Sequence, residues 1–312
     1  MLFEHLHLET PIPLLPLTDF TQPIPPTRWL YEPWIGRDAL TLLLGEGGSS
    51  KTWISLSLGL AAASHLPWLG LPASELHAVL YIDEDGQTAE TVRRVQRLRN
   101  AYSTDNPVPE SFGHVAPCGL HIDNPRHYSA IVETALSLKA SLIVFDALIR
   151  LHTKEEQDNT GMAEIMGLFR GLMRDTGAGV VILHHLSKPN EQNWGNFLLR
   201  ARGASEIINA SDIALGVSAH GGHSILEVCR NRFIHESAWP DKLKITLEDS
   251  GDSTIVRANA ETKVEDAIAA IIKHHLESLT VRATTDQLSS LGYKFSHATI
   301  QRAKKGMIQE IT

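Results

Sequence analysis

The chain has 312 residues, 43% hydrophobic and 21% charged, with a formal net charge of −8 from 28 basic and 36 acidic residues. That composition excludes a disordered chain, a collagen-like chain and a disulfide miniprotein, and the length suits one large domain plus a small one. Two cysteines, Cys118 and Cys229, can build neither a disulfide framework nor a cysteine zinc site, which points to a reducing, cytoplasmic compartment. No apolar run reaches the roughly 18 residues of a membrane helix, so no membrane partner is expected. The start, MLFEHLHLET, has no basic stretch ahead of an apolar core. A globally acidic protein is not coated for duplex DNA, which leaves a local basic surface or an interior channel as the route to nucleic acid.

Residues 1 to 36 hold seven of the fifteen prolines, a density that excludes regular elements and reads as an extended arm over 1–27. Ala39 to Leu44 is then an apolar run, followed by a Gly/Ser loop and a helix from Lys51 to Ala63. Strand-like segments follow at Ala78–Ile82, Ser141–Phe145 and Gly179–Leu183, with helices at Thr88–Tyr102 and Asn159–Asp175 between them. Short apolar runs alternating with helices predict a parallel sheet covered on both faces, with its ligand edge at the strand C-termini. From Asp212 to Val256 successive strands with a glycine turn at 221–222 predict an antiparallel extension of the same sheet. After a polar break at 259–262, helices are expected at Val264–Leu279, Thr285–Leu291 and Ser296–Gly306. Gly292 in the last connection makes a helix-turn-helix or winged-helix-like domain over 263–312.

The sharpest motif is Gly45-Glu46-Gly47-Gly48-Ser49-Ser50-Lys51-Thr52, with Trp53 behind it. It lies between a strand and a helix, as a phosphate-binding loop must. Loop amides and the helix N-terminus can cradle phosphate oxygens, Lys51 adds a point charge, and the Thr52 hydroxyl suits Mg²⁺. One position departs from the pattern, since Ser50 stands where glycine is expected. A second motif, Leu142 to Asp146, is an apolar strand ending in a carboxylate, which would hold Mg²⁺ through water.

These stretches, with LYIDEDGQTAETVRR, the run from Asp146 through Lys188 and the segment RARGAS, resemble the RecA-like ATPases typified by plasmid RepA replicative helicases, and more distantly the DnaB core. The resemblance covers about residues 28 to 235. It implies an α/β RecA-type domain over 28–258, a homo-oligomeric ring that is usually a hexamer, ATP hydrolysis at subunit interfaces, and single-stranded DNA in the central channel. It also implies a catalytic carboxylate after the second strand. The alignment slips there between Glu84 and Asp85, and Glu84 is chosen for its longer reach. His185 corresponds to the family's γ-phosphate sensor. Where the RepA helicases carry a finger arginine this chain has Asp212, so the finger is assigned to Arg232 with Arg230, in a stretch similar to the Lys-Asn-Arg of DnaB. DNA contacts are expected from Lys188, Arg200 and Arg202, with Trp194 beside them, and in the C-terminal domain from Arg302, Lys304 and Lys305.

The resulting expectation is an ATP- and Mg²⁺-dependent ring-forming DNA helicase or translocase of plasmid, phage or mobile-element replication, with replication-initiation proteins as further partners. The alternative is a nucleotide-switched DNA-binding regulatory or recombination ATPase that does not unwind.

Overall fold

The computed structural model describes residues 26–74, 77–102, 109–187, 196–203, 205–260, 270–276, 278–291, 293, 300–301 and 304. A two-stranded antiparallel piece, β1 (Trp29–Tyr31) with β2 (Ile35–Gly36), leads into β3 (Leu40–Gly45) and α1 (Lys51–Ala63). Next come β4 (Ala78–Asp83), α2 (Thr88–Tyr102), β5 (Phe112–Val115), α3 (Pro125–Leu138), β6 (Ala140–Asp146), α4 (Asn159–Thr176) and β7 (Gly179–His185). Two short helices, α5 (Phe197–Arg200) and α6 (Ser205–Asn209), precede the strands β8 (Ile213–His220), β9 (His223–Asn231), β10 (Leu243–Ser250) and β11 (Ser253–Ala260).

The main sheet has nine strands in the order β11-β10-β9-β8-β3-β7-β6-β4-β5. From β8 to β5 every pairing is parallel, whereas β9, β10 and β11 continue the sheet antiparallel. The expected mostly parallel sheet with an antiparallel extension is therefore the observed one. Its β8–β9 turn falls at Gly221-Gly222, where Gly222 takes a left-handed φ of 92°.

The central strands are apolar on both faces because both faces are covered. Leu43, Val79, Tyr81, Leu142, Val144 and Leu183 pack toward α1. Their neighbours in sequence, Leu42, Leu80, Ile143, Phe145 and Ile182, pack on the opposite side with Ile165, Met166 and Phe169 of α4. Helix α1 is buried over most of its circumference, as expected of a helix inside a layered core rather than on its surface. Helix α4 starts on the Asp158 side chain, which accepts the Thr160 amide at 3.0 Å, and stops at Gly177 with φ 68°.

The C-terminal residues form a separate apolar cluster of Ala270, Ile271, Leu276, Leu288 and Ile300. Here the helix boundaries differ from expectation. Residues 270–273 are helical but 274–275 turn, and the next helix runs Val281–Ser290 rather than from Thr285. Thr280 caps it by accepting the Ala283 amide at 3.3 Å, and the hydroxyls of Thr284 and Thr285 bond back to the carbonyls of Thr280 and Val281. Threonines that read as a loop are thus satisfied inside a helix. Most of Ser296–Gly306, and residues 1–25 of the proline-rich arm, lie outside the described residues.

Asp212 locks the edge of the sheet where the parallel strands begin. Its carboxylate accepts Arg170 of α4 at 2.6 and 2.7 Å and the Leu40 amide at 2.9 Å, and it is 8% exposed. Asp212→Ala leaves the guanidinium and that amide without their acceptor. The expected loss is about 2 kcal/mol of unfolding free energy, measured by urea denaturation, with a smaller loss for Asp212→Asn.

Candidate active site

The parallel strands all end on one edge, and their register brings four loops together there. Gly45 at the end of β3 pairs with His185 at the end of β7, and Asp83 at the end of β4 pairs with Asp146 at the end of β6.

The loop 46–50 makes its turn between a fully buried strand and a buried helix. A Cβ on Gly45 would sit 2.5 Å from Ser49 Oγ and 2.8 Å from the Val217 carbonyl, so this position admits only glycine. A Cβ on Gly47 or Gly48 would meet nothing within 4 Å, and Gly48 has φ 77°. The loop is thus tight at its root and open at its crown, which is the shape of an anion cradle. Lys51 is buried, and its ammonium donates to the carbonyls of Gly45 at 2.7 Å and Glu46 at 2.8 Å. Burial pulls its pKa down to about 8 against the pull of Asp146, Asp85 and Glu46 in the other direction.

Thr52 Oγ1 donates to Asp146 Oδ2 at 2.9 Å, and the Tyr81 hydroxyl donates to the same oxygen at 3.1 Å. Burial raises the Asp146 carboxyl to about 6, opposed by the Thr52 bond. A hydroxyl and a carboxylate at hydrogen-bond distance at the foot of the loop form a hard-oxygen donor pair that fits Mg²⁺. A cavity of about 300 Å³ opens beside them, lined by Thr52, Asp83, Asp85, Gly86, Arg94 and Asp146. Trp53 lies outside this lining and packs on the core under Arg94, whose guanidinium is 5.6 Å from its ring centre.

The two carboxylates that compete for one role point different ways. The buried Asp83 bends the chain after β4, since its Oδ1 accepts the amides of Asp85 at 3.2 Å and Gly86 at 2.8 Å. That turn sends Glu84 outward, where it accepts the amides of Cys118 at 3.1 Å and Gly119 at 3.0 Å. Asp85 faces inward, 3.8 Å from His185 Nε2 and 3.2 Å from Arg150 Nε. The geometry therefore corrects the choice of Glu84: Asp85 is the carboxylate that lines the cavity. His185 lies between Asp85 and Lys51 and is held below the usual histidine range, chiefly by burial and then by Lys51. His184 points the other way, fully buried, with Nε2 2.6 Å from the Arg202 carbonyl.

Arg230 and Arg232 lie at the opposite edge of the sheet, since Arg230 pairs with Ala214 near the start of β8. Their guanidinium groups donate to the carbonyls of Ile208 at 3.0 Å and Asn209 at 2.6 Å, and Arg232 lies 3.7 Å from Asp212. They are four strand residues, or about 13 Å, from the level of the loop.

Arg200 is not a free surface cation. It is 8% exposed, paired with Glu46 of the loop, and bonded to the Ser187 carbonyl. That corrects its expected place among DNA-binding groups. Arg202 is half exposed and bonds Glu156 at 3.1 Å. Lys304 donates to the Leu276 carbonyl at 2.9 Å, while Lys188, Trp194, Arg302 and Lys305 lie outside the described residues.

Ser50 takes a left-handed backbone, φ 70° and ψ 14°, which costs a residue with a Cβ about 1 kcal/mol relative to glycine. Ser224 of β9 lies beneath it, buried, donating to the Ser49 carbonyl at 3.1 Å with its oxygen 3.3 Å from Ser50 Oγ. Sequence reading passes over Ser224, which belongs to no motif. Ser224→Ala is expected to lower stability by about 1 kcal/mol in the native background, and by clearly less after Ser50→Gly. A double-mutant cycle by chemical denaturation reads this coupling, and equal losses in both backgrounds would show that the hydroxyls act independently.

Comparison with known proteins follows the same lines. A family model described as AAA domain matches residues 7–191, more than half of the chain. Among solved structures the chain is similar to the ATPase domain of a helicase, at 12% identity and a TM-score of 0.52, covering 70% of this chain and 84% of that one. It is similar to a DnaB-like replicative helicase, solved with its primase interactions, at 12% identity and TM-score 0.51; the match covers 70% of this chain but 57% of the helicase. A KaiC-like protein from Pyrococcus horikoshii matches over its whole length and 76% of this chain, at 13% identity and TM-score 0.52. At these identities the likeness concerns the fold, which is RecA-like, while the family match extends over β3, the phosphate loop and the strands through β7. The chain therefore belongs to the AAA domain family, on a RecA-like P-loop core.

Proposed function

We propose that this protein is an ATP-hydrolysing motor that assembles into a ring, with six subunits as the leading number, and moves along single-stranded DNA as a helicase or translocase. The observation that carries the reading is the convergence of Lys51, Thr52, Asp85, Asp146 and His185 at the ends of neighbouring strands, from segments more than 130 residues apart. The fold likeness to replicative helicase ATPase domains supports the DNA substrate and the ring.

On this reading the amides of Gly47 to Lys51 receive the β- and γ-phosphates, and Lys51 exchanges its two loop carbonyls for phosphate oxygens. Thr52 and Asp146 hold Mg²⁺, which neutralises phosphate charge when bound. Asp85, inward and beside His185, orients the attacking water and accepts its proton. His185, neutral near pH 7 because of its burial, reports the γ-phosphate by hydrogen bond. The cation for the transition state comes from a neighbour's Arg232 with Arg230, because these arginines lie on the wrong edge of the sheet to serve their own loop. A second reading, a nucleotide-switched DNA-binding or recombination ATPase, is favoured by one observation: both arginines are already engaged by carbonyls of their own chain and by Asp212.

Steady-state ATPase with and without single-stranded DNA, together with mass by light scattering, separates the two. Stimulation by DNA in an oligomer supports the motor, whereas a monomer in ATP analogue, Mg²⁺ and DNA refutes the ring. Lys51→Ala is expected to abolish turnover. Asp85→Asn is expected to lose about 10²-fold or more in kcat while still binding ATP, whereas Glu84→Gln stays within about threefold of wild type. The reverse pattern would restore Glu84.

Arg232→Ala is expected to bind nucleotide yet turn over at least about 10³-fold more slowly, the scale of a finger arginine in other NTPases. Mixed with Lys51→Ala it should recover part of the activity, because some interfaces then join an intact loop to an intact arginine. No recovery in demonstrably mixed rings would reject a finger in trans at this position.

A further inference from the structure

Glu46 places a carboxylate on a loop whose shape suits phosphate. Its backbone carbonyl already accepts Lys51 Nζ at 2.8 Å, and its charge is felt at that ammonium. Uncompensated, this carboxylate would repel every anion that approaches the open crown of the loop.

The compensation comes from a distant part of the chain. Arg200, at the end of α5, directs Nη2 onto Glu46 Oε1 and shares Nε and Nη2 with the Ser187 carbonyl at 3.3 and 3.2 Å. Its side chain is only 10% exposed, whereas that of Glu46 is 50% exposed. The guanidinium therefore has a fixed position rather than a choice of surface partners. Two features fix it. The chain around it pairs with the end of β7, Ser187 N to Arg200 O at 2.7 Å and Arg202 N to His185 O at 3.1 Å. The ring of Phe197, at the other end of α5, lies against Gly216 of β8, where a Cβ would come within 2.6 Å of it. A half-exposed carboxylate on the loop is thus met by an arginine anchored on both sides.

We propose that Arg200 is a positioning residue of the nucleotide site: its guanidinium cancels the Glu46 carboxylate, so that the polyphosphate of ATP can occupy the loop. This rests on the nucleotide-site reading above and adds to it a second cation, supplied by the same chain and acting through Glu46 rather than on the phosphates. It also makes the segment after β7 part of the loop's electrostatics.

The test is the binding of Mg·ATP by isothermal titration to wild type, Arg200→Ala, Glu46→Gln and the double variant, at low and high salt. Arg200→Ala is expected to bind about tenfold more weakly at low salt, with the deficit shrinking at high salt. Glu46→Gln is expected to bind about threefold more tightly than wild type. The double variant is expected to return to wild-type affinity or better, because removing the carboxylate removes the need for the arginine. A purely structural arginine would not be rescued in this way. Wild-type affinity in Arg200→Ala, or a double variant as weak as Arg200→Ala, overturns the proposal while leaving the nucleotide site intact. Failure of the wild-type chain to bind Mg·ATP, or equal binding by Lys51→Ala, overturns the nucleotide-site reading and this proposal with it.

Discussion

The register of four parallel strands is the constraint on which everything else depends. In the sheet order β3-β7-β6-β4, Gly45 is level with His185 and Asp146 is level with Asp83. Each of these residues closes its strand, so the loops that follow share one edge, as right-handed crossovers require. The apolar pattern fixes that register from both faces. Slipping β3 by one residue would turn Leu40, Leu42 and Leu44 away from α4 and put Leu43 and Thr41 in their place. The phosphate loop, the Mg²⁺-type donor pair and the histidine are brought together by core packing that involves none of their functional atoms.

The same packing explains why the loop can hold a strained residue. Its root at Gly45 has no room for a methyl group, and the helix behind it is buried. The five residues between two immovable ends must turn sharply, and Gly48 and Ser50 both take left-handed backbones to do so. Local strain persists where the surroundings over-determine it. Here the antiparallel extension supplies part of that surrounding, through Ser224 under Ser50. The extension is therefore a support for the loop as well as an edge to the sheet.

Much of this is legible in the sequence, and the remainder is hidden for physical reasons. Helix α1 is readable to the residue, because a buried helix after a Gly/Ser loop has sharp limits. The central strands are readable because a parallel sheet needs runs such as Leu-Ile-Val-Phe. Strand β5 and helix α3 carry no such signal: Phe112–Val115 is a short edge strand containing glycine and histidine, and α3 opens on Pro125 with a polar face. The choice between Glu84 and Asp85 cannot be made from side-chain reach. It is made by Asp83, whose bonds to the next amides turn the chain so that consecutive carboxylates face opposite ways. The partners of Arg200 and Asp212 are illegible because each joins residues far apart in sequence, 154 positions for Arg200 with Glu46 and 42 for Arg170 with Asp212.

The charges around the loop show why one chain is an incomplete site. Three carboxylates, Asp85, Asp146 and Glu46, act on the single buried ammonium of Lys51. Arg200 is committed to Glu46 and Arg150 to Asp85, so neither is spare for phosphate. A nucleotide would add several further negative charges to this cluster, in a setting where burial makes each unpaired charge expensive. The deficit has to be met by cations that the chain does not place at its own loop. The donor pair of Thr52 and Asp146 suits a divalent ion for one part of it. The other part matches Arg230 and Arg232, which this chain carries on the far edge of its sheet, where they are placed to serve another copy's loop and not their own. A protein whose anion site lacks a cation at one edge, and whose surplus arginines lie at the other, is built to complete its site by stacking those edges head to tail, and a head-to-tail contact between identical chains closes into a ring or runs on as a filament.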